Sequence, residues 1–170
     1  RGLGDVYKRQ GYYKPDKGQI LIDGNDLSDY SYKSLSTLFA PMFQNVEPLA
    51  LTIAEIVSSS ERENHDEEKI ISALKTVGLY ELVETLPEGI HTPLTKILNP
   101  SGYVFSGGGN QKLAMARVIY NSERPIVILD EPTAALDSIA EERVYRDLDS
   151  VLKDRSAIFI THRLASVKFL

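Results

Sequence analysis

PIVILDEP, residues 125–132, runs without a polar break from Ile126 to Leu129, is closed by Asp130 and Glu131, and stops at Pro132. A run this short and this rich in β-branched residues reads as a strand covered on both faces, the usual state of a strand in a parallel sheet. SAIFITH, 156–162, has the same character and ends in Thr161 and His162. Between the two lies an amphipathic stretch from about Ile139 to Leu152. Upstream, FSGGGN at 105–110 opens QKLAMARVIY, a helical pattern with Leu113, Ala116 and Tyr120 on one face. Strand, helix, strand in this order predicts an α/β fold with a mostly parallel sheet.

QILIDGNDL, 19–27, reads as a strand, a tight Asp23-Gly24 turn and a short return strand, an N-terminal β-hairpin. LFAPMFQ, 38–44, reads as a buried strand ending in an amide, with Pro41 pointing to an edge position or a bulge. From Leu49 to Leu86 the spacing turns helical: Ile70, Leu74 and Val77 recur three or four apart, and Gly78 is placed to stop a helix. An inserted helical subdomain is expected over about residues 46–120. Residues 58–69 are a charge-rich loop entering a helix start, read as a solvated face. His65 in that loop and His91 in EGIHTP have no neighbours at metal-ligand spacing, so both are expected to be ordinary surface histidines.

At 170 residues, 42% hydrophobic and 25% charged, the chain has the composition of one globular domain. Nineteen Lys and Arg against 24 Asp and Glu give a net charge of −5, which offers no basic footprint for a nucleic-acid backbone. There is no cysteine, hence no disulfide or thiolate metal site. No apolar stretch approaches the roughly 18–20 residues that span a bilayer, so a membrane partner would have to lie outside these residues.

Ligands of open parallel sheets bind beyond the carboxyl ends of the strands. Three strands here end in polar groups: Gln44, the pair Asp130 and Glu131, and Thr161 with His162. Adjacent acids at a strand end suit a magnesium-phosphate site, one holding the ion and the other polarising an attacking water. The competing reading is a strand end entering a solvated loop. SGGGN opening a helix offers free backbone N–H groups and the positive end of the dipole, with Ser106 free to bind an anion or to cap the helix; alternatively, the glycines are a plain linker.

FSGGGNQKLAMAR, then IVILDEPTAALD, then FITHRLASV, in this order and spacing, resemble the ATP-binding domain of ABC transporters. The likeness runs from Gly11 to the end: YYKPDKGQILIDGNDL is similar to the hairpin that follows the phosphate loop, and FQN to the glutamine loop. LPEGIHTPLT and THRLASV look most like the exporter branch. The resemblance implies a P-loop NTPase-like sheet, ATP and Mg²⁺ as ligands, and water attack on ATP. It implies that Gln44 and Asp130 attend the magnesium, Glu131 is the catalytic carboxylate and His162 meets the γ-phosphate. Ser106, Gly107 and Gly108 would touch ATP held by the opposite protomer, and Asp137 would cross the interface. The implied partners are a second such domain in a head-to-tail dimer and an exporter membrane domain, on the same or a separate chain, at the cytoplasmic face of the membrane.

Two departures stand out. Gly109 occupies a place where the family usually carries Gln or Glu, which predicts weaker dimer closure. Counting back from Pro15, the phosphate-loop lysine and its Ser/Thr would fall at Arg1, Gly2, Leu3 and Gly4, which supply neither ammonium nor hydroxyl. Residues 1–10 are therefore expected to be a foreign segment, and 11–170 a partial, incomplete domain of low stability and little hydrolysis on its own. Two other readings stay open: a soluble ABC-type ATPase outside transport, and a non-catalytic chain lending its signature to a partner's ATP.

Overall fold

The computed structural model describes residues 15, 17–42, 51–60, 65–96, 100–133, 145, 148, 152–153 and 155–161. The hairpin is β1 (Leu21–Ile22) and β2 (Asn25–Asp26), antiparallel, with Leu21 opposite Asp26 and Ile22 opposite Asn25. Its turn residues Asp23 and Gly24 both take positive φ, 49° and 82°, as a two-residue primed turn requires. A short helix α1 (Tyr32–Leu38) follows, capped by the Ser31 hydroxyl, which accepts from the Ser34 N–H at 3.1 Å.

α1 leads directly into β3 (Phe39–Met42), which pairs in parallel with β4 (Ile126–Asp130); β4 pairs in parallel with β5 (Ser156–Ile160). The register sets Phe39 beside Ile126, Met42 beside Leu129 and Asp130 beside Ile160. β4 is thus the middle strand and β3 an outer one among the described residues. An outer position is where Pro41, lacking an N–H, is tolerated.

Side chains alternate across the strands and both faces are covered. Ala40, Met42, Val127, Leu129 and Phe159 face one cluster; Phe39, Ile128, Ile158 and Ile160 face another, with Leu27 and Leu35. The first face is covered by α2 (Ile53–Ser58), α3 (Glu67–Thr76), α4 (Tyr80–Glu84) and α5 (Gly107–Tyr120). α2 begins in a capping box, Thr52 with Glu55. α3 ends ahead of Gly78, whose φ is 63°, as the spacing predicts. Of the amphipathic stretch after β4, the described Tyr145, Leu148 and Leu152 are helical and join the first cluster. No helix among the described residues is long and apolar enough to cross a membrane.

α5 is buried through its middle, Leu113 to Ala116, because it lies between the other helices and the sheet. Its carboxyl end is held by Arg155, which donates to the Asn121 carbonyl at 3.1 Å and the Arg124 carbonyl at 2.8 Å. Arg124 in turn donates to the Phe39 carbonyl at 3.0 Å. Basic side chains on the free carbonyls past a helix end suit the dipole there; these bonds tie α5 to the start of the sheet.

Candidate functional site

All three parallel strands run the same way, so Met42, Asp130 and Ile160 end on one rim. Asp130 is the charged residue there, 4% exposed although it carries a carboxylate. Burial, and secondly the Glu131 carboxylate next to it, push the Asp130 carboxyl above its ordinary value of 3.8. Two acids set close together at a strand end, one of them desolvated, form a donor set that gains from a hard cation.

Glu131 leaves the strand in the left-handed region, with φ 48°. Its N–H donates to the Ile160 carbonyl at 2.8 Å, which holds the turn against β5. Such backbone is uncommon for a non-glycine residue and persists where the surroundings fix it, often at working sites. The turn aims the chain off the sheet immediately after the buried aspartate.

The glycine turn is carried separately, at the start of α5. Ser106 is the N-cap: its hydroxyl accepts from the Gly109 N–H at 3.3 Å, and its carbonyl accepts from the Asn110 N–H at 2.9 Å. Of the two roles open to Ser106, the structure displays the cap. Gly107, exposed, and Gly108, half-buried, present on the first turn N–H groups that precede the intrahelical ladder. Gly109 is close-packed: a Cβ there would lie 2.8 Å from Phe105 Cδ1. Phe105 is itself buried, edge-on to Tyr103 with ring centroids 4.9 Å apart. Gly109 therefore has a packing reason independent of any partner.

Of the residues singled out in the sequence, Asp130 and Glu131 are brought together on the rim, and Ser106, Gly107 and Gly108 form one helix start. Gln44, Asp137 and His162 lie outside the described residues. One expectation is corrected: His65 and His91 are not independent surface groups. Both are half-buried, their ring centroids are 6.1 Å apart, and His91 Nε2 stands 3.2 Å from Glu67 Oε1. The two histidines are 26 positions apart in the chain, so no local spacing could announce the pair. The acidic helix start at Glu67 was the legible half.

A family model described as ABC transporter matches residues 10–134. The chain is 35% identical over 157 residues to the ATP-dependent lipid A-core flippases of Pectobacterium atrosepticum and of Haemophilus influenzae, covering 92% of this chain and 26% of each relative. The corresponding flippase of Paraburkholderia xenovorans is 36% identical, with 25% of its length covered. The chain thus spans about a quarter of the length of these curated relatives. Among solved structures, a bacterial Atm1-family ABC exporter with ATP bound superposes with a TM-score of 0.81 at 27% identity, over 97% of this chain and 28% of that one. With a parallel sheet ending in a buried Asp130 that Glu131 follows, and a serine-capped glycine turn opening α5, the chain belongs to the ABC transporter family, as a nucleotide-binding domain of the exporter type.

Proposed function

We propose that this chain is the ATP-hydrolysing part of an ABC exporter, coupling hydrolysis in a head-to-tail dimer to transport by a membrane domain, at the cytoplasmic face of the membrane. The observation that carries the reading is the buried Asp130 beside Glu131 on the rim of the middle parallel strand. A desolvated carboxylate with a second acid beside it fits magnesium by its donor chemistry. Asp130, with Gln44, would hold the ion; magnesium, when bound, screens the phosphate charge. Glu131 takes up a proton from water as it attacks, and His162 donates to the γ-phosphate oxygens; positioning and charge stabilisation supply most of the rate. Ser106 and the N–H groups of Gly107 and Gly108 meet the ATP of the opposite protomer, favoured by the dipole of α5. Asp137 bridges the protomers. Cargo is selected by the membrane-spanning part of such a transporter, so no residue of this chain assigns it.

In the full-length transporter, Glu131→Gln is expected to lower the kcat of phosphate release by about 100-fold or more, the range for loss of a general base, with the KM for ATP within a few-fold. Unchanged turnover would remove Glu131 from the reaction. The 170 residues contain no GxxGxGK[ST] stretch. Their expected turnover alone is accordingly close to background, and transporter-like rates from the chain alone would overturn that part.

A further inference from the structure

We propose that His65, Glu67 and His91 form a site for a divalent transition-metal ion, with zinc the best match. One nitrogen of each imidazole and one carboxylate oxygen lie within 4.8 Å of one another. Two imidazoles and a carboxylate are a ligand set that zinc takes in open sites, leaving a fourth position for water.

The distances are close to those of a loaded site. Bonds of about 2.1 Å at tetrahedral angles set ligand atoms about 3.4 Å apart. His91 Nε2 and Glu67 Oε1 are already 3.2 Å apart. The widest separation has to close by at most about 1.4 Å, within reach of small χ rotations of side chains at the site's edge. His65 directly precedes Asp66, the N-cap of α3, and Glu67 is that helix's first residue; His91 ends the short Gly89–His91 turn. The three ligands thus come from two segments that an ion would join.

A hydrogen-bonded His91–Glu67 pair alone does not account for the rings. The Nδ1 atoms of His65 and His91 are both buried and, among the described residues, have no hydrogen-bond partner. A buried ring nitrogen is ordinarily satisfied; a ring that ligates through Nδ1 uses a lone pair that otherwise goes unmet, and one that ligates through Nε2 has its tautomer set with the proton on Nδ1. The surroundings favour a cation. A cavity of about 280 Å³ adjoins the cluster, lined by Glu67, Glu84 and Glu88 together with His91 and Tyr80. It leaves room for the water or exogenous ligand of an open site. The two lysines of α3 are otherwise engaged: Lys69 with Glu123 at 3.0 Å, and Lys75 over the Tyr80 ring at 4.8 Å.

The test is zinc titration of the metal-stripped protein by calorimetry, with cobalt as a spectroscopic substitute. Expected are one zinc per chain, the intense visible absorption of tetrahedral cobalt, and a melting temperature that rises with zinc. His65→Ala and His91→Ala should each weaken binding by about 100-fold, since even outer partners of a metal ligand account for 10–100-fold, and should abolish the thermal shift. Glu84→Gln, which lines the cavity but supplies no ligand, should retain stoichiometry. The His91 side chain is 37% exposed and His65 is half-buried, outside the buried clusters, so the two histidine variants are expected to fold; circular dichroism checks this. Absence of saturable zinc uptake, or uptake unchanged in both histidine variants, overturns the site.

Discussion

Asp130 shows what one side chain can report. Its carboxyl is held above 3.8 by burial and by Glu131, so the native state keeps its proton at pH values where the unfolded chain has lost it. Between 3.8 and the raised value the folded state therefore binds more protons, and stability falls as pH rises through that window. Above the window the cost is constant. Asp130→Asn should accordingly melt higher than the parent at pH 7, with the gap closing as pH is lowered towards 3.8. In the full-length transporter, magnesium with nucleotide should stabilise the parent and not the variant. Thermal unfolding across a pH series reads both effects, and a variant that melts lower at neutral pH would mean that the carboxylate is satisfied in the native state. The two acids and their place at a strand end were legible in PIVILDEP. The depth of Asp130 and the left-handed backbone of Glu131 were not, because both arise from β5 packing alongside, 30 positions further on.

At the scale of one element, α5 sets two rules against each other at Gly109. Helix propensity favours replacing it: glycine is about 1 kcal/mol poorer than alanine inside a helix, and glutamine is a good helix former. Packing opposes this, because a Cβ at 109 would meet Phe105 at 2.8 Å from Cδ1 and 3.0 Å from Cβ, part of that contact close to the backbone. Overpacking a tight site costs about 1–3 kcal/mol, so Gly109→Gln should be destabilising overall by up to about 2 kcal/mol. Phe105→Leu in the same chain should recover part of the loss, a coupling read by denaturant unfolding of the single and double variants. A Gly109→Gln chain more stable than the parent would show that Phe105 gives way freely. Elements with strong local signals were legible here: the Asp23-Gly24 turn, the end of α3 at Gly78, and the start of α5 at Ser106. α1 was not, since its seven residues bury only Leu35 and are too few for the spacing of Tyr32, Leu35 and Leu38 to stand out as a helical period.

Across the whole molecule, the order of strands and helices was enough to give a parallel sheet, while the ties between distant segments were beyond any local pattern. Arg155 binding the carbonyls past α5 and His65 meeting His91 both depend on how the layers fit together. That fit is continuous on one face of the sheet. Ile53, Ile70 and Val83 of the helices, Leu113 of α5, and Val127 and Leu129 of β4 belong to one buried cluster. A helical subdomain over about residues 46–120, if separately stable, would open without the sheet; a shared core requires the two to open together. Leu113, fully buried between them, is the residue to test. Leu113→Ala should cost about 2–5 kcal/mol through lost transfer energy and the cavity left behind. Native-state hydrogen exchange should then show protection falling by a similar factor in α3 and in β4, because both contribute to the buried cluster that Leu113 joins. Loss confined to α3, with β4 unchanged, would establish that the helical layer is an independent unit and that its contacts with Val127 and Leu129 add little to the sheet.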